Sequence, residues 1–217
     1  MSDEEPIRVF LSYSSKDKEF AGQLKAELET RGFEAFLAHE DIKPTQEWEA
    51  EIFKNLKACD AFIPLLSENF AESDWCDQET GFAVSDGKLV IPLKIDIDPY
   101  GFIGKIQALK VGESIPECCD EIVGIIKNTP LFDRLREVFI DSFVKSKDFD
   151  NANENSDSLE SYEPFTADHI NRIIRGFLDN YEISHGFRSA RVVRRLFKKY
   201  EEVIEPDLKT KFNEFER

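Results

Sequence analysis

Short apolar segments alternate with helix-forming segments through the first 130 residues, and this alternation constrains the fold more than any other feature of the chain. Segments typical of buried strands lie at 8–13, 33–37, 59–66 and 88–95, with a weaker one near 106–109. Segments with apolar residues at helical spacing lie at 18–31, from Trp48 to Leu56, and at 116–127. Strands and helices alternating in this way predict a five-stranded parallel sheet with helices on both faces, an α/β fold of the flavodoxin-like type. Pro92 predicts a bend or an edge position in the fourth strand.

The pattern changes after Pro130, where the alternation of strands and helices stops. A helical pattern covers 131–144, and two more lie between 165 and 204. Between them, the segment 145–163 is acidic and rich in Asn and Ser, which predicts a linker or a mobile loop. The sequence therefore predicts an α/β domain over 1–130 and a helical C-terminal region over 131–217.

The composition of the chain limits the classes of protein to which it can belong. Nineteen Phe and a hydrophobic fraction of 41% suffice for a packed core. The acidic start and the absence of a long apolar run predict a soluble, cytoplasmic protein that does not enter a membrane. The four cysteines lack zinc-binding spacing, so we expect reduced thiols and no metal site.

A formal net charge of −16 argues against general binding to nucleic acid or to acidic membranes. One basic stretch, 188–199, interleaves six Lys and Arg residues with apolar ones. Most stretches of this kind are the polar face of an amphipathic helix, and we interpret this one in that way.

Trp75 and Glu79 lie four residues apart just after the buried strand at 59–66. On a helix, this spacing puts both side chains on one face. In an open α/β sheet, ligands bind at the carboxyl ends of such strands. A stacking ring beside a carboxylate suits a nucleotide whose glycosidic bond is to be broken. The alternative to a nucleotide site is that Trp75 packs on the sheet and Glu79 is a solvated helix carboxylate.

Three groups of residues resemble the TIR (Toll/interleukin-1 receptor) domain over about 6–128. They are 9–17 with its Ser12-Tyr13-Ser14-Ser15-Lys16-Asp17 run, 32–36 leading to a loop around 41–44, and 61–70 continuing to 73–76. Some TIR domains signal by assembly, whereas others consume NAD+. The resemblance to the NAD+-consuming, bacterial type implies that Glu79 is catalytic, because enzymatic members carry a glutamate on the helix after the third strand and a Trp four residues before it.

A carboxylate can promote the cleavage of NAD+ without a further cofactor or a metal ion. Nicotinamide is a cationic leaving group, so breaking its bond to ribose needs no general acid. A carboxylate stabilises the oxocarbenium-like charge that grows at the anomeric carbon. Trp75 would stack on the nicotinamide or adenine ring, with a cation–π contribution. The products would be nicotinamide with ADP-ribose or with a cyclic ADP-ribose isomer, and the sequence does not decide between them.

Further substrate-binding candidates lie in two loops. Ser12, Tyr13, Ser14 and Ser15 follow the first strand and offer hydroxyls and amides to ribose and phosphate, and Lys16 offers a charge to phosphate. Their alternative roles are loop structure and helix capping. The loop with His39 resembles the loop through which the family assembles and completes its site, and Phe36 lies beneath it.

Two other functions stay open at this point. A non-enzymatic adaptor would signal through TIR–TIR contacts, and a nucleoside deoxyribosyltransferase would use the same glutamate on a related sheet. The resemblance also implies self-association, a downstream effector or regulatory partner, and a role in immune signalling, with antiphage defence expected in a bacterial source.

Overall fold

The computed structural model describes residues 5–37, 48–112 and 114–217, which divide into two compact units, Pro6–Ile126 and Lys127–Arg217. The strands of the first unit are β1 (Ile7–Ser12), β2 (Phe33–Leu37), β3 (Ala61–Leu66), β4 (Leu89–Val90), β5 (Leu93–Lys94) and β6 (Leu109–Lys110). Its helices are α1 (Lys18–Thr30), α2 (Trp48–Ala58), α3 (Glu68–Ala71), α4 (Asp74–Ser85) and α5 (Ile115–Ile126).

The sheet is parallel, and its strands follow the order β2-β1-β3-β5-β6, with β4 also beside β3. β3 is buried at every position, as expected for a central strand covered on both faces. α1, α2, α4 and α5 each pack against a strand. The prediction of an α/β fold with a parallel sheet is therefore confirmed.

The fourth predicted strand is divided into two short strands. β4 pairs with the start of β3, and β5 pairs with its end. Ile91 and Pro92 lie between them, and Pro92 has no N–H to donate to the ladder. The predicted bend is thus present, and it accounts for six strands where the sequence predicts five.

The second unit is entirely helical. Its helices are α6 (Leu131–Val144), α7 (Phe149–Leu159), α8 (Ala167–Asp179), α9 (Tyr181–His185), α10 (Phe187–Lys199) and α11 (Pro206–Phe215). The sequence predicts the regions of α6, α8 and α10, but α9 and α11 were missed. α9 is a five-residue helix, too short to show a hydrophobic period. No helix in the described part of the chain is both long and apolar enough to cross a membrane.

The predicted linker or mobile loop at 145–163 is wrong, because α7 occupies most of it. Asp148 caps this helix by accepting a hydrogen bond of 2.8 Å from the Asn151 amide. The buried stripe consists of Ala152, Asn155, Ser156 and Leu159. Because two of these four residues are polar, hydropathy does not reveal the helical period. The sequence analysis also did not predict the short helix α3, which Ser67 caps.

α6 and α8 are held together by ion pairs and by close approach. Arg172 of α8 pairs with Glu137 and Asp141 of α6, and His169 contacts the same Glu137 at 2.6 Å. Nδ1 of His169 accepts a hydrogen bond from the Thr166 amide, so the ring proton is assigned to Nε2, which donates to Glu137. Most of the polar groups at the contact between α6 and α8 therefore have a hydrogen-bond or ion-pair partner within it.

The basic stretch at 188–199 forms α10, whose apolar side is buried. Its cations face solvent, and several of them pair with carboxylates of the same unit. Arg194 and Arg195, for example, lie 2.6 Å and 2.9 Å from Glu216 and Glu160. The stretch is the polar face of an amphipathic helix, as the sequence analysis interprets it.

Candidate functional site

The carboxyl ends of β1 and β3 lie side by side, because Ser12 is in register with Pro64 in the parallel ladder. The connections that leave these strands are tied by Asp17. Its carboxylate accepts hydrogen bonds from the Ser67 hydroxyl at 2.5 Å and from the Asn69 amide at 2.9 Å. These hydrogen bonds hold the two connections together at this edge of the sheet.

The helix α4 carries the candidate carboxylate, Glu79, at this edge of the sheet. Ser73 caps the helix by accepting a hydrogen bond from the Cys76 amide at 3.4 Å. The buried residues of α4 follow the helical spacing i, i+3, i+4 and i+7, and they are Cys76, Glu79, Thr80 and Ala83. Because α4 packs against β1 and β3, Glu79 lies within the stripe that faces the sheet.

Glu79 is a buried carboxylate bonded to the end of the first strand. The Ser12 hydroxyl donates a hydrogen bond of 2.5 Å to Glu79 Oε2. Ser12 is 1% exposed and Glu79 is 6% exposed, so the alternative of a solvated helix carboxylate is excluded. Burial raises the pKa of Glu79 from 4.5 to about 7, and the hydrogen bond from Ser12 opposes part of that rise.

Cys76 is a packing residue and not a nucleophile. Its side chain is buried in a cluster with Leu66, Phe70 and Ile103. Burial raises the pKa of the Cys76 thiol to about 11, so the reactive thiolate form is rare near neutral pH.

The other predicted site residues differ in their surroundings. Trp75 is half-buried on the first turn of α4, one turn before Glu79. Tyr13 and Ser14 are buried at the end of β1, whereas Ser15 is exposed. Lys16 is exposed and lies 3.5 Å from Glu72, a surface pair that contributes little to stability.

Phe36 is a partly buried residue that packs against the core of the first unit. Its ring centroid lies 5.3 Å from that of Phe10. His39 lies outside the described residues, as does the predicted loop around 41–44.

A profile of the TIR-domain family matches residues 9–122, which is just over half of the chain. The chain belongs to the TIR-domain family. The match covers the strands and helices that carry Ser12 and Glu79, so the candidate site lies within the TIR domain.

Two curated proteins resemble this TIR domain over part of their length. The mouse (Mus musculus) Single Ig IL-1-related receptor is 35% identical over 82 residues, covering 36% of this chain and 20% of the receptor. The probable 2' cyclic ADP-D-ribose synthase BdTIR of Brachypodium distachyon is 26% identical over 98 residues, covering 44% of each chain. The chain thus spans less than half the length of both relatives.

Two solved structures are similar at low sequence identity. One is the TIR domain of the Toll-related receptor TRR-2 of Hydra magnipapillata, with 21% identity, a TM-score of 0.44, and coverage of 59% of this chain and 97% of that one. The other is the CMP N-glycosidase BcmB of Clostridium botulinum, with 20% identity, a TM-score of 0.39, and coverage of 53% and 97%. Neither similarity bears on activity.

The TIR domain also has a cleft that the sequence analysis missed. Its volume is about 290 Å³, and its lining includes Phe70, Asp77, Tyr100 and Phe102. The Tyr100 hydroxyl donates a hydrogen bond of 2.7 Å to Asp77, and burial together with this bond raises the pKa of Tyr100 above its usual value. The sequence signal for this cleft was the pair of aromatic residues Tyr100 and Phe102, which lie close together after the fourth predicted strand.

The cleft and the buried carboxylate are separate features of α4, because neither Ser12 nor Glu79 lines the cleft. We assign the candidate chemistry to the Ser12–Glu79 pair, since a buried carboxylate with a strongly raised pKa is typical of functional sites. Within 5–37, 48–112 and 114–217, no group of three His, Cys, Asp or Glu side chains is arranged to hold a metal ion.

Proposed function

We propose that this TIR domain cleaves the nicotinamide–ribose bond of NAD+, as an NAD+ nucleosidase of the glycohydrolase or cyclase type. The observation that carries the proposal is the buried Glu79 carboxylate, hydrogen-bonded to Ser12 at the carboxyl edge of the sheet. The relationship to a probable 2' cyclic ADP-D-ribose synthase supports the same chemistry.

The reaction needs charge stabilisation more than proton transfer to the leaving group. When the bond between the anomeric carbon and nicotinamide breaks, its electron pair goes to the pyridinium nitrogen, and nicotinamide leaves neutral. Positive charge develops on the ribose, and the ionised Glu79 carboxylate stabilises it in a site of low dielectric constant. Water then bonds to the anomeric carbon and releases a proton, or an atom of the same substrate closes a ring.

The raised pKa of Glu79 suits this role. With a pKa of about 7, the Glu79 carboxylate is partly protonated in the free protein near neutral pH. A cationic pyridinium bound beside it favours the ionised form, because an opposite charge lowers the pKa of a carboxyl group. NAD+ thus promotes the form of Glu79 that acts in the reaction. Trp75, one turn earlier on α4, is the proposed stacking partner for a base.

The test is release of nicotinamide from NAD+ by wild type and by Glu79→Gln, with products separated by chromatography and mass spectrometry. Gln keeps the size of the side chain and removes its charge, so we expect nicotinamide release to be lost. Glu121→Gln, which removes an exposed helical carboxylate of α5, is the matched control and should retain release. The second product distinguishes a glycohydrolase, which gives ADP-ribose, from a cyclase.

Equal release by wild type and Glu79→Gln would contradict the proposal. If no release occurs even in concentrated protein, a non-enzymatic adaptor that acts by TIR–TIR assembly becomes the better explanation. For the biological setting, we propose immune signalling, including antiphage defence in a bacterial source. Phage plating on a bacterial host that expresses wild type or Glu79→Gln would test this role.

A further inference from the structure

Among the predicted site residues, Ser12 donates a hydrogen bond to the Glu79 carboxylate. We propose, on the basis of the function proposed above, that Ser12 is a positioning residue, which orients the Glu79 carboxylate and favours its ionised form. The sequence analysis expects Ser12 to bind substrate, but its hydroxyl has a single proton, and that proton is donated to Glu79 Oε2 at 2.5 Å.

The backbone around Ser12 is held on two sides. β1 pairs with β2 through Leu11 and Leu37, and with β3 through Ser12 and Pro64. Ser12 is 1% exposed, so its side chain has little freedom to turn away. A donor fixed in this way holds Oε2, one of the two oxygens of the Glu79 carboxylate, in a defined orientation.

Burial and the charge of the carboxylate both strengthen the hydrogen bond between Ser12 and Glu79. A hydroxyl donates more strongly to a carboxylate than to a neutral carboxylic acid, so the bond with Ser12 is stronger when Glu79 is ionised. In a buried site, water competes weakly for the same oxygen, which increases the effect. Removing the Ser12 hydroxyl therefore disfavours ionisation of Glu79 as well as releasing its orientation.

Other ionisable groups do not replace Ser12 in this role. The Cys76 thiol, on the same helix, also contacts Ser12, but burial and the nearby Glu79 raise its pKa, so the thiol stays neutral. α4 packs against β1, β3, α2 and α3, and against the short 3-10 helix at Gly101–Ile103. The ionisable side chains on these elements are Arg8, Glu49, Glu51, Lys54, Lys57 and Glu68. Of the side chains that the structure describes, Ser12 is the one whose contact changes the pKa of Glu79, in opposition to burial.

The test is the titration of the Glu79 carboxyl carbon by NMR in the protein without NAD+, with the signal assigned by its loss in Glu79→Gln. We expect Ser12→Ala to move the midpoint upward by about one pH unit. Ser67→Ala is the matched control, because Ser67 is also buried and donates a 2.5 Å hydrogen bond to a carboxylate, that of Asp17. Ser67→Ala should leave the Glu79 midpoint where it is.

The same variants are then compared in nicotinamide release across pH. Ser12→Ala should shift the acid limb of kcat/KM upward by the same amount as the NMR midpoint. An unchanged midpoint in Ser12→Ala, or an equal shift in Ser67→Ala, would overturn the positioning role. Because the titration is made without NAD+, it stays informative if Glu79→Gln shows that the proposed function is wrong.

Discussion

At the scale of single residues, the unusual feature is a carboxylate within an apolar helix stripe. Glu79 stands where a core residue would be expected, between Cys76 and Ala83 on the buried side of α4. Burial of an ionisable group disfavours its charged form, so the folded state binds a proton more tightly than the unfolded chain does. This difference has consequences for both stability and activity.

We predict that Glu79→Gln stabilises the protein at alkaline pH. The pKa of Glu79 is about 7 in the folded protein, compared with 4.5 ordinarily. The contribution of Glu79 to stability is therefore complete below pH 4.5 and is lost as the pH rises through about 7. The difference corresponds to about 3 kcal/mol of unfolding free energy at high pH. Gln does not ionise, so the variant avoids this loss.

Urea unfolding of both proteins at several pH values measures the effect. The advantage of Glu79→Gln over wild type should grow between pH 4.5 and values above about 8. The exposed control, Glu121→Gln, should show little such growth. A stability difference that does not change with pH would mean that Glu79 is not buried as described.

The same ionisation predicts the pH dependence of catalysis. If the ionised carboxylate stabilises the developing charge, kcat/KM for nicotinamide release should rise with pH and level off above about 7. The measurement is the initial rate at low NAD+ over a range of about pH 5.5 to 9. A rate that falls as Glu79 ionises would instead indicate that the protonated form acts as a general acid.

At the scale of elements, the second unit depends on a close approach of two helices. A Cβ atom built on Gly176 of α8 would lie 2.6 Å and 2.7 Å from Cγ1 and Cβ of Val144 in α6. Such distances are far below ordinary contact, and Val144 Cβ is fixed by its backbone. Gly176 therefore permits a helix contact that any larger residue would push apart.

We predict that Gly176→Ala destabilises the protein, although Ala is the better helix former. Relief of the overlap requires α6 and α8 to move, at a cost of about 1–3 kcal/mol, which outweighs the helix-propensity gain of up to about 1 kcal/mol. Gly124→Ala in α5 is the matched control, since a Cβ there would meet nothing within 4 Å. Urea unfolding should show a loss for Gly176→Ala and a small gain for Gly124→Ala. A gain for both would show that α6 and α8 do not approach this closely.

At the scale of the whole molecule, the chain consists of two units that each have a core. Phe10, Phe62 and Ile52 belong to the core of the first unit, and Phe139 and Ile174 are fully buried in the second. A compact unit with its own core is expected to fold by itself. We predict that a fragment spanning Pro6–Ile126 unfolds cooperatively in a thermal melt followed by circular dichroism. A broad, non-cooperative transition would show that the TIR domain needs the helical unit to fold.

Self-association is the second prediction at this scale. If a TIR neighbour completes the site, nicotinamide release per molecule should rise with protein concentration. Rates measured over a dilution series, with the mass distribution followed by light scattering, test this expectation. Activity per molecule that is constant across the series would show that a single chain holds the whole site.

The sequence by itself determined the alternation of strands and helices in the TIR domain, because the hydrophobic period of these elements can be recognised in consecutive residues. It also determined the Trp75–Glu79 spacing on α4 and the bend at Pro92. It did not reveal α7, whose buried face is partly polar. The tertiary structure alone decided that Glu79 is buried and bonded to Ser12, since 67 positions separate them. Contacts over that separation, and the pKa they set, depend on how β1 and α4 pack, which no local pattern specifies.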